Sequence, residues 1–224
     1  MLYSEFLKKD KLPIDKWEHY FPIYEKHFGR FVNQPIVFWE IGVQYGGSIQ
    51  MWKKYFGPLA TVVGIDIDPN CKCVENQFVN IRIGDQSDLH FLQDIINEFG
   101  APDIVLDDGS HMMNDINTTF HFLYPRISKN GIYLVEDLHT AYWSEFDGGL
   151  KKEGTFIEIC KGLIDSLNIR HARIPQDGNE KDFTFANSTY GISFYDSIVV
   201  FEKMQWKPHM LSSVQILTYL PTAK

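Results

Sequence analysis

The most informative segment of this sequence is an apolar run closed by acids and a histidine, Asp103-Ile104-Val105-Leu106-Asp107-Asp108-Gly109-Ser110-His111. A second run of the same kind follows and ends in an acidic pair, Gly131-Ile132-Tyr133-Leu134-Val135-Glu136-Asp137. Both runs predict buried strands with carboxylates just beyond their ends. Carboxylates gathered in this way repel one another and lose hydration, so the pattern predicts a cation among them.

Strands and helices alternate on both sides of these two runs. Upstream, apolar periodicity predicts three strands and two helices, namely strands over 35–41, 60–66 and 79–84 and helices over 48–56 and 87–100. A helix over 114–125 separates the two acidic strands, and residues 191–202 predict two strands around a tight turn. This alternation predicts an α/β fold: a Rossmann-like, doubly wound, mostly parallel seven-stranded sheet with a C-terminal antiparallel hairpin.

Length and composition limit the classes of protein that need to be considered. The 224 residues, 44% of them hydrophobic, suffice for one well-packed core. We expect a helical N-terminal cap over residues 1–34 and one domain over residues 35–224. A formal net charge of −8 argues against a nucleic-acid backbone or an anionic membrane surface as the partner.

The expected compartment is the cytoplasm. The sequence shows no signal peptide and no apolar run near the roughly 20 residues that a membrane span needs. Its three cysteines, Cys71, Cys73 and Cys160, lack the spacing of a zinc site. An odd number of cysteines without such spacing predicts reduced thiols.

Residues suited to a nucleotide-like ligand follow the first three predicted strands, where open parallel sheets bind their ligands. After the first strand, glycines permit close backbone approach and a helix begins with free N–H groups, which selects Glu40, Gly42, Gly46 and Ser48. Asp66 ends the second strand, near the offset at which an acid meets ribose hydroxyls. The third strand leads into a segment suited to an adenine edge, Asp85, Gln86 and Ser87.

The glycine spacing distinguishes two kinds of nucleotide site. A dinucleotide-binding turn has the pattern G-x-G-x-x-G. This turn instead carries Gly42, Gly46 and Gly47, with Gln44 where the second glycine would be. Glu40 lies two residues before the first glycine and suits a sulfonium or an amino group better than a pyrophosphate. The pattern therefore disfavours a nicotinamide-dependent dehydrogenase.

Together these landmarks resemble those of class I S-adenosylmethionine-dependent methyltransferases, in Glu40-x-Gly42, Gly64-Ile65-Asp66 and Gly84-Asp85. A closer resemblance is to the metal-dependent sugar O-methyltransferases of the mycinamicin and macrocin type. It lies in an Asp-Gly-Ser-His segment, an acidic pair after the fifth strand and a late Tyr-Asp-Ser-Ile-Val-Val-Phe-Glu strand, here residues 108–111, 136–137 and 195–202. The resemblance covers residues 35–203 and implies S-adenosylmethionine and Mg²⁺ as cofactors.

The resemblance also implies roles for the acids and the histidine. Asp108, Glu136 and Asp137 would be the metal ligands, and their oxygens suit Mg²⁺, with Mn²⁺ as an alternative. His111 would be the general base, since an unperturbed pKa of ~6.5 suits proton transfer at neutral pH. His139 is a rival base, and Asp107 is a candidate contact for the methionine end of the cofactor.

The predicted function is O-methylation of a hydroxyl on a sugar or a sugar-containing small molecule. The acceptor would be a free, nucleotide-linked or glycoside-bound sugar, for a capsule, a lipopolysaccharide or a natural product. Alternatives are a methyltransferase for other small molecules, a hydroxylase-like metalloenzyme, and a protein that binds S-adenosylmethionine without catalysis. We expect no nucleic-acid or membrane partner, and homo-oligomer formation is left open.

Overall fold

The computed structural model describes residues 2–8, 12–173, 178–205 and 207, with a seven-stranded sheet at their centre. Its strands are β1 (Val37–Ile41), β2 (Thr61–Asp66), β3 (Asn80–Ile83), β4 (Ile104–Asp107), β5 (Ile132–Val135), β6 (Thr189–Tyr195) and β7 (Ile198–Lys203). They lie in the order β3-β2-β1-β4-β5-β7-β6. Strands β1 to β5 are parallel, whereas β7 is antiparallel to β5 and β6. The predicted Rossmann-like fold with a C-terminal antiparallel hairpin is confirmed.

Helices cover both faces of the sheet. Within the described residues they are α1 (Leu2–Phe6), α2 (Tyr20–Phe28), α3 (Gly47–Phe56), α4 (Leu89–Phe99), α5 (Met113–Leu123), α6 (Phe156–Asn168) and α7 (Glu180–Ser188). None of these helices has the length and apolar character that crossing a membrane requires.

Two hydrophobic cores lie on the two faces of the sheet because successive strand residues point to opposite sides. Phe38 of β1 belongs to the core beneath α2 and α3, together with Tyr24 and Trp52. Its neighbour Trp39 belongs to the other core, which contains Phe120 of α5. The strands are therefore buried on both faces, as expected of parallel strands, and only their ends are left to form a site.

Helices α1 and α2 lie in the N-terminal segment, and both contribute buried residues to one core of the sheet. Tyr20, Tyr24 and Phe28 of α2 are all buried in the same cluster as β1 residues. A domain boundary near residue 34 stays a prediction. The C-terminal part of the predicted domain, residues 206 and 208–224, lies outside the described residues.

The segment between β5 and β6 contains two helices, α6 and α7, that periodicity did not identify. In α6 Phe156 and Cys160 are buried, and Ile157 and Leu163 pack against the same core. The predicted surface loop over 140–154 overlaps two short 3-10 turns, Leu138–Tyr142 and Ser144–Phe146. These turns come directly after Glu136 and Asp137, the acidic pair that follows β5.

Gly42, directly after β1, allows the backbone of the acidic segment to approach closely. Its φ is +90°, and a Cβ at this position would lie 2.0 Å from the carbonyl oxygen of Asp108. The amide of Gly42 donates to Ile65 O, and the amide of Asp108 donates to Ile41 O. The glycine therefore joins the ends of β1, β2 and β4 into one compact edge.

We predict that Gly42→Ala lowers the free energy of unfolding by more than Gly100→Ala, as measured by urea denaturation. Gly100 also has a positive φ, +86°, but a Cβ there would meet nothing within 4 Å. Gly100→Ala is the control: it introduces only the backbone strain of a residue with a side chain at positive φ, about 1–3 kcal/mol. Gly42→Ala introduces the same strain and, in addition, a clash with backbone atoms. Equal losses in the two variants would show that the close approach at Gly42 is not a constraint.

Candidate active site

The acids of β4 and β5 meet because these two strands are neighbours. In the parallel register Asp107 lies opposite Val135, and the amide of Glu136 donates to Asp107 O at 2.9 Å. Asp108 and Glu136 therefore leave the same edge of the sheet side by side. Asp137 follows with a φ of 54°, a left-handed conformation that turns the chain at this point.

A lysine from the N-terminal segment provides a positive charge among these acids. Lys16 Nζ lies 2.5 Å from Asp108 Oδ2 and 2.7 Å from Glu136 Oε2, and its side chain is only 3% exposed. Burial lowers the pKa of Lys16, but Asp108, Glu136 and Glu40 outweigh it and raise the pKa well above its ordinary value. The chain itself thus supplies part of the cation that the acids require, which sequence analysis missed.

Two tyrosines of α2 hold further carboxylate oxygens. The hydroxyl of Tyr24 donates to Glu136 Oε1, and that of Tyr20 donates to Asp137 Oδ1 at 2.6 Å. Burial raises the pKa of both tyrosines, so they remain protonated donors at neutral pH. Their spacing of four residues, which places them on one face of a helix, was the available sequence signal.

His111 lies beside the acids in a backbone conformation that is uncommon for a residue with a side chain. Its φ is 60°, and its Nε2 lies 3.8 Å from Asp108 Oδ1 and 4.0 Å from Asp137 Oδ2. One ligand atom each from Asp108, His111 and Asp137 lies within 4.8 Å of the others. The carboxylate oxygens of Asp108 and Asp137 suit a hard divalent cation and fit Mg²⁺, whereas imidazole is a ligand for softer metals, so His111 lies beside the oxygen donors without belonging to them.

Glu136 lies deeper than the other two predicted metal ligands. It is 1% exposed, and its two oxygens accept from Tyr24 and Lys16. Burial raises the pKa of Glu136, and the Lys16 ammonium counteracts this effect. Asp108 and Asp137 line the open side of the cluster, whereas the role of Glu136 as a direct ligand stays a prediction.

His139, the rival base, is held in an aromatic stack. Its Nδ1 lies 2.6 Å from Ser197 Oγ. Trp17 stacks on its ring at 4.8 Å between centroids, and Trp143 packs edge-on at 4.7 Å. These contacts fix the imidazole of His139, and the geometry favours His111, the histidine grouped with Asp108 and Asp137, as the base.

A cleft of about 700 Å³ runs from this cluster to the turn after β1. Asp108, His111 and Asp137 form one end of it, and Gly42 and Asp66 line the other. Residues 13–16 of the N-terminal segment also line it. The acidic cluster and the predicted cofactor residues therefore share one cavity.

Asp66 braces the turn after β1. Its Oδ2 accepts from the amides of Val43 at 2.7 Å and Gln44 at 3.0 Å, and its Oδ1 accepts from Asp68 N at 2.9 Å. Burial raises the pKa of Asp66, but these backbone hydrogen bonds outweigh it and hold the pKa below its ordinary value. Asp66 is therefore a carboxylate that lines the cleft and fixes the wall beside it.

A smaller cavity of about 180 Å³ lies on the other side of Gly42, lined by Asp66, Asp85, Gln86 and Gly109 among others. Gln86 accepts from the amide of Ser110 at 2.8 Å and donates to Asp107 Oδ1 at 3.1 Å. It thereby ties the loop after β3 to the acidic segment. Two of the three residues predicted to bind an adenine edge, Asp85 and Gln86, line this cavity, whereas Ser87 does not.

Asp107 is part of the framework beneath the site. It is 1% exposed, and its other oxygen accepts from the hydroxyl of Tyr133 at 3.1 Å. Burial raises the pKa of Asp107 to about 7. Since it lines neither cavity, its contact with the methionine end of a cofactor stays a prediction.

Glu40 is completely buried and has one oxygen without a partner. Its Oε1 accepts from Trp52 Nε1 at 3.0 Å, whereas Oε2 has no hydrogen-bond partner. Burial raises the pKa of Glu40 to about 7. An orphaned carboxylate oxygen at the end of β1 fits a ligand that brings a positive charge, such as the ammonium or sulfonium group of S-adenosylmethionine.

The predicted site residues divide into three groups by position. Those that line the larger cleft are Gly42, Ser48, Asp66, Asp108, His111 and Asp137. Those that line the smaller cavity are Gly42, Asp66, Asp85 and Gln86. The remaining predictions, Glu40, Gly46, Ser87, Asp107 and Glu136, line neither cavity.

Gly46 and Ser87 support the walls. Gly46 has a φ of +80° directly before α3, and a Cβ there would lie 2.5 Å from the side chain of Val74. The hydroxyl of Ser87 donates to Asp85 Oδ1 at 2.8 Å. These two residues therefore shape the turns beside the cavities.

The sheet order, the turn after β1 and the acid at the end of β2 define a class I S-adenosylmethionine-dependent methyltransferase fold. The chain matches the solved MycE methyltransferase of the mycinamycin pathway, in complex with Mg and SAH, with 31% identity and a TM-score of 0.79 over 100% of this chain and 56% of that one. MycE in complex with Mg, SAH and mycinamycin VI matches with 32% identity and a TM-score of 0.77, over 91% of this chain and 53% of that one.

Within this fold the chain is a homologue of the macrocin- and mycinamicin-type sugar O-methyltransferases. It is 34% identical over 201 residues to demethylmacrocin O-methyltransferase from Streptomyces fradiae, covering 84% of this chain and 50% of the relative. It is 36% identical over 196 residues to mycinamicin VI 2''-O-methyltransferase from Micromonospora griseorubida, covering 83% and 48%. The chain thus spans about half the length of these relatives. No family model matches it.

We predict that Glu40→Gln raises the free energy of unfolding at pH 8, measured by urea denaturation without added metal or cofactor. Because the pKa of Glu40 is about 7 when folded and 4.5 is its ordinary value, its contribution to stability is full below about pH 4.5. This contribution is lost as pH rises through 7, which lowers the free energy of unfolding by about 3 kcal/mol. Gln keeps an acceptor for Trp52 and carries no charge.

The matched control for Glu40→Gln is Glu153→Gln, at an exposed position. The control should leave the pH dependence of unfolding unchanged. If Glu40→Gln also gives a curve parallel to that of the wild type, the buried charge of Glu40 does not limit the stability of the apo site.

Proposed function

We propose that the protein is an S-adenosylmethionine- and Mg²⁺-dependent O-methyltransferase that acts on a hydroxyl of a sugar or a sugar-containing small molecule. The observation that carries this proposal is the shared cleft. It holds the Asp108, His111 and Asp137 group at one end and the turn after β1 with Asp66 at the other. A base and metal-binding oxygens thus lie within reach of a methyl donor bound in the same cavity.

The cofactor would be held by residues at the ends of β1, β2 and β3. The positive φ at Gly42 opens the backbone to a ligand, and Asp66 offers a carboxylate for ribose hydroxyls. Glu40, two residues before Gly42, has one buried carboxylate oxygen without a hydrogen-bond partner among the described residues, which would suit a cationic group of the cofactor. The structures of MycE with SAH, at 31% and 32% identity, support this placement.

The metal would be held by Asp108 and Asp137, with Glu136 as the predicted third ligand. A divalent cation held by these residues would orient a hydroxyl pair and would lower the pKa of the hydroxyl that reacts. Lys16 and Tyr20 hold the opposite oxygens of Asp108 and Asp137, which directs the free oxygens of both acids toward His111. The acids are therefore positioned before a ligand arrives.

His111 would accept the proton of the acceptor hydroxyl at its imidazole. Its Nε2 is 3.8 Å from Asp108 Oδ1 and 4.0 Å from Asp137 Oδ2, so both carboxylates stabilise the imidazolium that forms. S-adenosylmethionine would supply the methyl group to the deprotonated acceptor oxygen and would leave as S-adenosylhomocysteine. His139, held by Ser197 and two tryptophans, is not needed for this step.

A sugar acceptor is supported by the aromatic surfaces beside the cluster. Trp17 and Trp143 are each 46% exposed and flank His139. Trp17 follows Lys16 directly in sequence, and Trp143 lies in the segment after the acidic pair. Exposed indole faces suit the apolar face of a sugar ring. The relatives named for glycosylated macrolide and tetracenomycin substrates point the same way. Free, nucleotide-linked and glycoside-bound sugars all remain acceptors to be tested.

The proposal includes a cytoplasmic location and leaves the oligomeric state to measurement. Cys71, Cys73 and Cys160 are all free thiols in the structure. Free thiols in a chain of this size are consistent with a reducing compartment.

We predict that EDTA abolishes methyl transfer from S-adenosylmethionine, that added Mg²⁺ restores it, and that Asp137→Asn weakens Mg²⁺ binding by about tenfold or more. Asn keeps an acceptor for Tyr20 but removes the charge. Product formation on a panel of free, nucleotide-linked and glycoside-bound sugars is followed by mass spectrometry, and Mg²⁺ affinity by calorimetry.

The control for Asp137→Asn is Asp147→Asn, since Asp147 has a similar φ of 60° and lies exposed on the neighbouring turn. This control should bind Mg²⁺ like the wild type. Full activity in EDTA would contradict the metal role, and absence of SAH binding would contradict the proposed function as a whole.

We predict that His111→Asn reduces kcat by about 10²–10⁴-fold while the affinity for SAH stays unchanged. The asparagine tolerates the left-handed backbone at this position, and its amide cannot accept the proton. The comparison variant is His139→Asn, which should retain most of kcat. A greater loss of kcat in His139→Asn than in His111→Asn would assign the base to the other histidine.

A further inference from the structure

Residues 12–16 contact both the helix that follows the glycine turn and the acidic cluster. A Cβ on Gly47, at the start of α3, would lie 2.3 Å from Pro13 O, 2.4 Å from Ile14 Cγ1 and 2.5 Å from Leu12 O. The first residues of the segment therefore touch the helix that follows the glycine turn. Its last residue, Lys16, contacts Asp108 and Glu136 on the metal side.

The contacts of Lys16 leave a defined set of oxygens for another cation. Its ammonium takes Oδ2 of Asp108 and Oε2 of Glu136, whereas Asp108 Oδ1 lies on the His111 side. Three carboxylates, Asp108, Glu136 and Asp137, and one ammonium give the cluster a formal charge of −2. That charge matches one divalent cation, and without Lys16 it would be −3.

We propose that Lys16 is a positioning residue: an internal cation that limits the charge of the metal cluster and fastens residues 12–16 as a wall of the cofactor cleft. This inference rests on the proposed function, because it takes the cluster to bind Mg²⁺ and the cleft to bind S-adenosylmethionine. The two roles of Lys16 have opposite effects on the affinities for the two ligands. Lys16 opposes the entry of a metal ion by repulsion, and it supports the cofactor by holding the wall.

The test is calorimetry of Mg²⁺ and SAH, titrated separately into the wild-type chain and the Lys16→Met variant. Loss of the ammonium should tighten Mg²⁺ binding by about tenfold, because a positive charge next to the metal site is removed. It should weaken SAH binding by a similar factor, because the wall loses its anchor. Lys16→Arg keeps the charge and should bind Mg²⁺ like the wild type.

The matched control is Lys161→Met, which removes an exposed lysine paired with Glu158 and should change neither affinity. If both affinities fall together in Lys16→Met, or neither changes, the inference is wrong while the proposed function stands. If the wild-type chain binds neither Mg²⁺ nor SAH, both are wrong.

Hydrogen exchange of the wild-type chain tests the inference without a substitution, which matters if Lys16→Met fails to fold. Mg²⁺ should speed amide exchange at residues 12 and 14–16, because a divalent cation on the free oxygen of Asp108 repels the Lys16 ammonium held at Oδ2. A segment held only by packing would show unchanged or slower exchange, and that result would overturn the inference.

Discussion

The repulsion among buried acids at the ends of adjacent strands is the constraint on which this structure depends. Glu40 and Glu136 are fully or almost fully buried, and Asp108 lies between them in the sheet order. Each uncompensated charge of this kind costs several kcal/mol. Lys16 and the hydroxyl of Tyr24 offset the cost from the N-terminal side, and the resulting network leaves oxygens free on the side of the cleft.

Much of the fold could be predicted because parallel strands leave a strong signal. Short apolar runs such as 104–107 and 132–135 are buried on both faces, and each ends in polar residues. Helix α6 was missed although its apolar residues, Phe156, Cys160 and Leu163, recur at helical spacing, so the signal was present in the sequence and was overlooked. Propensity and spacing carry no information on the order of the strands in the sheet, which the structure supplies.

The candidate site was predictable where its residues follow strands and unpredictable where they come from elsewhere. Asp108, His111 and Asp137 could be grouped from sequence, because the ends of parallel neighbours must meet. Lys16 could not be, since nothing local in residues 12–16 indicates which strand ends they cover. The sequence argument correctly required a cation among the acids, but it assigned that charge to a metal alone, whereas the chain provides an ammonium as well.

The position of Lys16 along the chain has a consequence for the order in which the protein folds. Lys16 is 92 residues from Asp108 and 120 residues from Glu136. Contacts of such long sequence separation carry a large loop-closure entropy and slow folding more than they reduce stability. We therefore expect the acids to be assembled before their counter-charge arrives. The closing of residues 12–16 over the finished sheet is then a late step, and electrostatic attraction toward the acids favours it.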